Sequence, residues 1–193
     1  MSLSREQGAA LAAWARASLG QALGGELALR PHGHFCDENG ASFVTLRWAD
    51  GGELQGCIGT LEAHRPLADD VAHNALAAGL QDPRGAALSL SDVRELDVEL
   101  SVLSPLEPMG VMTEDEALRA IRPGVDGIVL HMAGRRATFL PSMWPALPTA
   151  EVFLRALKEK AGLPADAWAP GTRLDRYVVE KFVDPAPARA GAS

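Results

Sequence analysis

Hydrophobic and polar positions along the chain follow two different periods, which predicts a mixture of strands and helices. The clearest strand signal is "ELDVELSVLSP", where Leu96, Val98, Leu100 and Val102 are apolar and the residues between them are polar. Alternation with period two is typical of a strand that buries one face. This segment therefore predicts a sheet with one side against a core.

Two further patterns predict hairpins. The apolar segments "SFVTLRW" and "ELQGCIGTL" are separated by Asp50, Gly51 and Gly52, residues that tolerate the left-handed conformations of tight turns. The segment "DGIVLHMAGRRATFLP" has the same organisation around Ala133 and Gly134. A last strand is predicted in "TRLDRYVVEKFV".

Helices are predicted between these strands. The first runs from about Ser4 towards Gly20, with Ser4 and Gln7 at the spacing of a capping box. Three more are expected in "RPLADDVAHNALAAGLQ", "TEDEALRAI" and "TAEVFLRALKEKAGLP". Helices interleaved with hairpins do not give the regular βαβ order, so we expect an α+β fold with a mixed, largely antiparallel sheet and flanking helices.

Composition and charge exclude several classes of protein. Hydrophobic residues make up 47% and charged residues 22% of the 193 residues, and no apolar run reaches the roughly 20 residues of a membrane span. A net charge of -7 without a basic cluster argues against general nucleic-acid binding. The N-terminus is typical of a helix and not of a secretory signal, so a cytoplasmic location is expected. No nucleotide-binding or metalloprotease motif occurs, and no cofactor is predicted.

Cys57 is the candidate reactive residue. Period two places Gln55, Cys57 and Gly59 on one face of the second hairpin strand, and Gly56, Ile58 and Thr60 on the other. Ile58 favours the core, so Cys57 should point to the second face, where a ligand could approach the backbone at Gly59. The alternative is a buried cysteine that packs as a small hydrophobe.

Other polar residues have two interpretations each. His32, His34 and Cys36 would face one way on an extended segment and are zinc-ligand types, but no fourth ligand is evident and a solvated loop is favoured. No metal site is therefore predicted. His64 is either a general base or a surface histidine. Asn74 borders the apolar face of its helix and could face the site.

The stretch "LQGCIGT" resembles the signature of the AMMECR domain family, known in microbes as AmmeMemoRadiSam system protein A. Similar blocks follow in family order from about Ser42 to Phe182: "SFVTL", "RPL", "DPR", "LSVLSP", "GVDGIVL", "FLP" and "RYVVEKF". The resemblance implies that residues 1–184 form a single AMMECR-like domain of two unequal lobes, with the cysteine motif at a cleft between them. The proline-rich residues 185–193 are expected to be a disordered tail.

The resemblance also implies which residues surround the cleft. We expect a small anionic ligand or a partner to contact Gln55, Gly56, Gly59, Thr60, Asn74, Asp82, Arg84, Arg135 and Arg176. Gln55 stands where the family has arginine, which removes a cation beside the thiol. Gly85 stands where the family has phenylalanine, which is expected to open that wall.

Structural roles compete with ligand binding at several of these positions. Asp82 and Arg84 could form only a local ion pair after a helix. Arg176 and Glu180 could fasten the lobes, which is the favoured interpretation for that pair.

Two functional hypotheses remain open. One is a binding or adaptor module whose glycine-flanked strand receives a small anionic ligand or a partner. The other is a thiol-dependent enzyme in which Cys57 is a nucleophile or acceptor. The resemblance implies association with Memo-type and radical SAM proteins, but it attaches no reaction.

Overall fold

The computed structural model describes residues 2–187, which divide into two compact units. The first contains residues up to Ser104 together with those from Glu180, and the second contains Pro105–Val179. Both units combine helices with a sheet, which confirms the predicted α+β class with antiparallel strand pairing and flanking helices. The strands form two sheets, where the sequence predicted one. Within residues 2–187, no helix combines the length and apolarity required to cross a membrane.

Helices and strands are interspersed along the chain. The first part of the chain forms α1 (Arg5–Ala22), α2 (His34–Asp37), β1 (Asn39–Trp48), β2 (Leu54–Gly59), β3 (Arg65–Pro66), α3 (Leu67–Leu80) and β4 (Leu96–Leu103). The rest forms β5 (Glu107–Pro108), α4 (Glu114–Ala120), β6 (Gly127–Met132), β7 (Arg135–Phe139), α5 (Ala150–Lys160), β8 (Arg173–Tyr177) and β9 (Val179–Asp184). Short 3₁₀ helices occupy Asp92–Glu95 and Pro141–Met143.

Reciprocal capping boxes fix where two of the helices begin. At α1 the Ser4 hydroxyl accepts from the Gln7 backbone N–H, and the Gln7 side chain accepts from the Ser4 N–H. Thr113 and Glu116 form the same reciprocal pair at α4. The box at Ser4 was predicted from the sequence, and both boxes satisfy N–H groups that a helix start leaves unpaired.

The first unit has a sheet in the order β2-β1-β4-β9, with β3 paired to the start of β1. Val44 and Leu46 of β1 and Val98 and Leu100 of β4 are buried in one core with apolar residues of α1 and α3. This confirms the predicted alternation along β4. The opposite side chains of these strands, including Thr45 and Cys57, which are paired in register, therefore face away from α1 and α3.

The second unit has a sheet in the order β5-β8-β6-β7 with α4 and α5. Its core joins Ile128 and Leu130 of β6 and Leu174 of β8 to Phe153 and Leu154 of α5. The predicted β6–β7 hairpin is confirmed, with Ala133 and Gly134 both at positive φ (50° and 73°).

Two local predictions are wrong. The last predicted strand is interrupted at Val178, so that β8 belongs to the sheet of the second unit and β9 to that of the first. The segment around Cys36 is the short helix α2, where a loop was expected.

The predicted tail lies mostly outside the described residues, which end at residue 187. Of its first residues, Ala186 is buried, and its N–H donates to Asp97 Oδ1 at 2.8 Å.

Candidate functional site

Cys57 lies on β2 with its side chain half-buried. The hydroxyl of Thr45, its cross-strand partner on β1, is 3.2 Å from the sulfur and donates to it. The position on the face away from α1 and α3 agrees with the sequence prediction. A hydroxyl is a weak partner for a thiol and not a base, so this contact orients the sulfur without activating it.

Asp82 fixes the backbone of Cys57. Oδ2 of Asp82 accepts from the Cys57 backbone N–H at 2.9 Å. The same carboxylate accepts from the Arg84 backbone N–H at 3.0 Å and from Arg84 Nε and Nη2 at 2.9 and 2.6 Å. Chiefly the Arg84 guanidinium, and then these two backbone N–H groups, hold the pKa of Asp82 well below its usual range. The ionised carboxylate thus ties the turn after α3 to β2.

Arg84 completes this arrangement, which we call the Asp82 clamp: Cys57, Asp82 and Arg84. Its Nη2 also donates to the Cys57 carbonyl at 3.2 Å, yet 56% of its side chain remains exposed. The hydrogen bond to Asp82, and more weakly the charge of the Cys57 thiolate, raises the pKa of Arg84. The two N–H bonds of its Nη1 have no hydrogen-bond partner within the described part of the chain. These two N–H groups are charge-assisted donors that suit an oxygen atom of a carboxylate or phosphate.

Gln55 has a structural role beside this clamp. In the pairing of β1 with β2, Leu46 is opposite Gly56 and Arg47 is opposite Leu54. Gln55 has no partner on β1 and is therefore the extra residue of a β-bulge. Its buried side chain accepts from Trp48 Nε1 at 3.2 Å and donates from Nε2 to the Ala86 carbonyl at 2.7 Å. Both polar ends of Gln55 are therefore engaged by the protein.

The glycines flanking Cys57 do not leave bare backbone. A Cβ atom on Gly56 would lie 2.0 Å from the carbonyl oxygen of Ala78 in α3. One on Gly59 would lie 2.1 Å from the ring of Phe43, its partner on β1. The space that the sequence predicted to be open to a ligand at Gly59 is thus filled by an aromatic ring, and both glycines permit close packing.

Thr60 and Asn74 lie on the other face of the sheet, around Asp70 of α3. Asp70 is fully buried and accepts from the Ser42 N–H and hydroxyl, the Thr60 hydroxyl and Asn74 Nδ2, at 2.6–2.9 Å. Ser42 and Thr45 are three residues apart on β1, so their side chains lie on opposite faces. The structure therefore separates Thr60 and Asn74 from the sulfur of Cys57.

Sequence reasoning missed the central role of Asp70. An acidic residue early in a helix is explained by the helix dipole alone. The available signal was its spacing of four residues from Asn74, which places both on one side of α3.

Arg135 and Arg176 belong to the second unit. Arg176 makes a two-pronged ion pair with Glu107, its partner across β5 and β8, at 3.2 Å for each contact, and this pair lowers the pKa of Glu107. Arg135 is exposed at the start of β7. Glu180 instead accepts from the Ser2 hydroxyl and the Leu3 N–H. The convergence of Arg135 and Arg176 on Cys57 remains a prediction.

His32, His34 and Cys36 do not lie on an extended segment with their side chains facing one way, because His34–Asp37 is helical. Cys36 is fully buried in the hydrophobic core of the first unit, and burial raises its pKa, whereas 86% of the His34 side chain is exposed. Among residues 2–187, no three His, Cys, Asp or Glu side chains are placed to hold a metal ion. His64 is exposed, and its Nε2 lies 2.6 Å from Arg65 Nη2.

A separate cavity of about 720 Å³ lies in the first unit beside the C-terminal half of α1. It is lined by α1, residues 25–28 and residues 90–94. None of the predicted site residues contributes to its wall.

Comparisons with known proteins agree with the fold and the motif. The AMMECR1 family profile matches residues 12–182. The chain is 35% identical to a protein of Methanothermobacter thermautotrophicus over 189 residues, covering 93% of this chain and 95% of that one. It is 31% identical to protein MJ0810 of Methanocaldococcus jannaschii, covering 96% and 94%.

A solved structure is similar over nearly the same length. The crystal structure of uncharacterized protein PH0010 from Pyrococcus horikoshii superposes with a TM-score of 0.79 at 28% identity, covering 96% of this chain and 95% of that one. The family match and these relatives extend over most of the sequence. The chain therefore belongs to the AMMECR1 family.

Proposed function

We propose that this protein is a binding module that holds a small anionic ligand at the Asp82 clamp, on the face of β2 where Cys57 emerges. The observation that carries the proposal is the fixed, exposed guanidinium of Arg84. It is anchored to Asp82 and to the Cys57 carbonyl, while the N–H bonds of its Nη1 stay free of any partner among residues 2–187. Preorganised donors bind an anion without first losing side-chain freedom.

The ligand is expected to carry a carboxylate or phosphate, because the free N–H groups of Arg84 Nη1 can donate charge-assisted hydrogen bonds to the oxygen atoms of such a group. Asp82 neutralises part of the charge of Arg84, so binding relies on directed hydrogen bonds more than on a broad positive field. The crevice predicted around Cys57, with Arg135 and Arg176 as further contacts, belongs to this proposal. So does association with Memo-type and radical SAM proteins, which the resemblance suggests.

The alternative, a thiol-dependent enzyme, requires a base or a strongly activating cation beside the sulfur. The sulfur instead accepts a hydrogen bond from the Thr45 hydroxyl. The Arg84 guanidinium is close enough to interact with the thiolate, but it is already paired with Asp82. The binding role is therefore favoured.

A titration followed by NMR tests the proposal. Inorganic phosphate and succinate are added separately to the ¹⁵N-labelled chain, and shifts are followed at the Cys57 amide and Arg84 Nε. Arg84→Lys keeps the charge but removes the planar fork, so the affinity should fall by about tenfold. Arg94→Lys, at another exposed arginine of the first unit, is the matched control and should leave the affinity unchanged.

Cys57→Ser tests whether the sulfur itself contributes to anion binding. A binding module keeps its affinity for the anion in this variant, since the contacts come from Arg84. Equal affinities in the wild type, Arg84→Lys and Arg94→Lys, or the absence of shifts near Cys57, would contradict the binding role.

A further inference from the structure

An extended segment of the first unit follows α1 and pairs with no strand of the described chain. No helix, turn or bend interrupts residues 25–32. Leu27 and Leu29 are 79% and 89% exposed, whereas Ala28 between them is half-buried. Alternation of this kind is typical of a strand, although the segment lies outside both sheets.

The backbone of this segment has free hydrogen-bonding groups along one edge. The Ala28 N–H donates to Gln21 Oε1 at 3.2 Å, so its edge faces α1. Successive N–H groups of an extended chain point to opposite edges, so the backbone groups of Leu27 and Leu29 point away from α1. Neither leucine has a backbone hydrogen-bond partner among residues 2–187. Such an unpaired edge is a template for a further strand.

The sequence of the segment is close to a palindrome. In "ELALR", Glu26 to Arg30, a central alanine is flanked by two leucines and then by two residues of opposite charge. An antiparallel copy centred on Ala28 places Leu27 opposite Leu29 and Glu26 opposite Arg30. A parallel copy in register places like charges opposite each other, which is destabilising. Charge therefore favours the antiparallel arrangement.

The guanidinium of Arg30 is already paired within its own chain. It makes ion pairs with Asp37 and Asp69, each at 3.0 Å, and both carboxylates are more than half exposed. Glu26 of a second copy therefore gains little binding energy from it. The charges select the direction of pairing, and the backbone groups and the leucines supply the contacts.

We propose that residues 26–30 are a self-association site, at which two copies of this chain pair as antiparallel strands across a twofold axis. Leu27 of one copy and Leu29 of the other exchange two backbone hydrogen bonds. Ala28 meets Ala28 of the second copy as a non-hydrogen-bonded pair, which agrees with the engagement of its N–H by Gln21. Both copies use the same surface, as a twofold interface requires. This site goes beyond the proposed function, because none of its residues belongs to the Asp82 clamp.

The cavity beside α1 adds an apolar surface to this site. Leu27 and Ala28 share its wall with Leu90 and Val93. Leu29 of a second copy, opposite Leu27, extends that wall. A pairing of such short segments buries less than the roughly 1,200 Å² of a stable interface, so the dimer is expected to be weak.

Disulfide cross-linking of the full chain detects a weak dimer. The Cα atoms of a non-hydrogen-bonded antiparallel pair are about 4.5 Å apart, a separation that suits a disulfide. Ala28→Cys should therefore form a covalent dimer with oxidised glutathione, in a Cys57→Ser background that removes the half-buried native thiol. Each copy carries a net charge of -7, so the salt is kept at about 0.15 M to screen their repulsion.

Two other cysteine variants control for random collision. Glu26→Cys lies opposite Arg30, so its two thiols in a dimer are more than about 13 Å apart. Ala13→Cys is exposed on α1, outside the segment. Both should cross-link at least about tenfold more slowly than Ala28→Cys, because their geometry does not suit a disulfide. The melting temperature of each variant checks that it folds.

A substitution at Leu29 tests the leucine pair. Leu29→Lys in the Ala28→Cys background places an ammonium group opposite Leu27. It should slow cross-linking by about tenfold, because a symmetric dimer contains this pair twice. Met112→Lys, at a position 81% exposed in the second unit, should leave the rate unchanged.

Equal cross-linking rates of the three cysteine variants would overturn the inference and leave the free edge to a strand of another protein. Equal rates with and without Leu29→Lys would also overturn it. Faster cross-linking of Glu26→Cys than of Ala28→Cys would contradict the twofold pairing centred on Ala28.

Discussion

Gln55 fills the space beside β2 into which a side chain at Gly85 would project. A Cβ atom on Gly85 would lie 2.1 Å from the backbone oxygen of Gln55 and 2.5 Å from its side-chain Nε2. The resemblance to AMMECR domains predicts arginine at position 55 and phenylalanine at position 85. The wall expected to open at Gly85 is thus filled by Gln55, and the two departures depend on each other sterically.

Replacing Gly85 alone should therefore destabilise the fold. Gly85→Phe is expected to lower the free energy of unfolding by about 2 kcal/mol, a typical cost of overpacking. Gln55→Arg alone loses the hydrogen bonds to Trp48 and Ala86. The double variant should be more stable than the sum of the single effects predicts, by about 1 kcal/mol, because the pair can rearrange together.

Urea denaturation of the four proteins measures this coupling. Gly20→Ala is the control, since its Cβ would lie 3.9 Å from the nearest atom, in Leu90, and should cost nothing. Strictly additive effects of the two substitutions would show that Gln55 and Gly85 are independent.

The Asp82 clamp is expected to stabilise the folded protein by an amount that decreases at acidic pH. The folded-state pKa of Asp82 lies well below that of the unfolded chain, chiefly because of Arg84. Its contribution is therefore fully present above the ordinary carboxyl pKa of about 3.9 and is lost as the pH falls towards the folded-state value. Asp82→Asn should be less stable than the wild type at pH 7, with a smaller difference near pH 3.

Asp166→Asn is the control for this measurement, because Asp166 is exposed. Its unfolding free energy should follow that of the wild type at both pH values. A difference between Asp82→Asn and the wild type that stays constant down to pH 3 would contradict the stabilising role of the ionised carboxylate.

Asp70 and its neighbour Asp69 provide a matched pair on α3. Asp70→Ala should lower the free energy of unfolding by at least about 2 kcal/mol, because it leaves the buried N–H of Ser42 without an acceptor and removes the acceptor shared with the Thr60 hydroxyl and Asn74 Nδ2. Asp69 is 52% exposed and pairs with Arg30 at the surface, so Asp69→Ala should cost less than about 1 kcal/mol.

Chemical denaturation compares the two variants of α3. Equal stabilities would remove the structural role assigned to Thr60 and Asn74 and restore them as candidate ligand contacts.

Most of the helices, strands and hairpins could be predicted from local sequence signals. The capping residues Ser4 and Thr113 and the alternation from Leu96 to Val102 predict their elements, because each signal lies within a few residues of the structure that it specifies. Gly51 and Gly134 predict the two hairpin turns, because glycine tolerates the positive φ that such turns require.

Contacts between distant segments could not be predicted in this way. Whether Gly59 exposes its backbone depends on the ring of Phe43, sixteen positions earlier, and no local pattern reports that ring. The interruption at Val178 has no glycine or proline to mark it. The partners of Arg176 and Glu180 could not be predicted for the same reason, since Glu107 and Ser2 lie far away in the sequence.

The two cysteines should differ sharply in reactivity. Cys36 is fully buried and its pKa is raised by burial, whereas Cys57 is half-buried. Iodoacetamide should modify only Cys57 in the folded protein and both residues in denaturant, as followed by mass spectrometry of the peptides. Cys57→Ser should then resist alkylation under native conditions. Native modification of Cys36 would contradict the packing of α2.

Protection of Cys57 from alkylation tests the central claim most directly. The rate of Cys57 modification is measured at fixed pH and ionic strength with increasing inorganic phosphate, in the wild type, Arg84→Lys and Arg94→Lys. An anion held by Arg84 beside the sulfur should slow alkylation in the wild type and in Arg94→Lys, with little protection in Arg84→Lys. Rates that do not respond to phosphate, or that respond equally in all three proteins, would contradict an anion site at the Asp82 clamp.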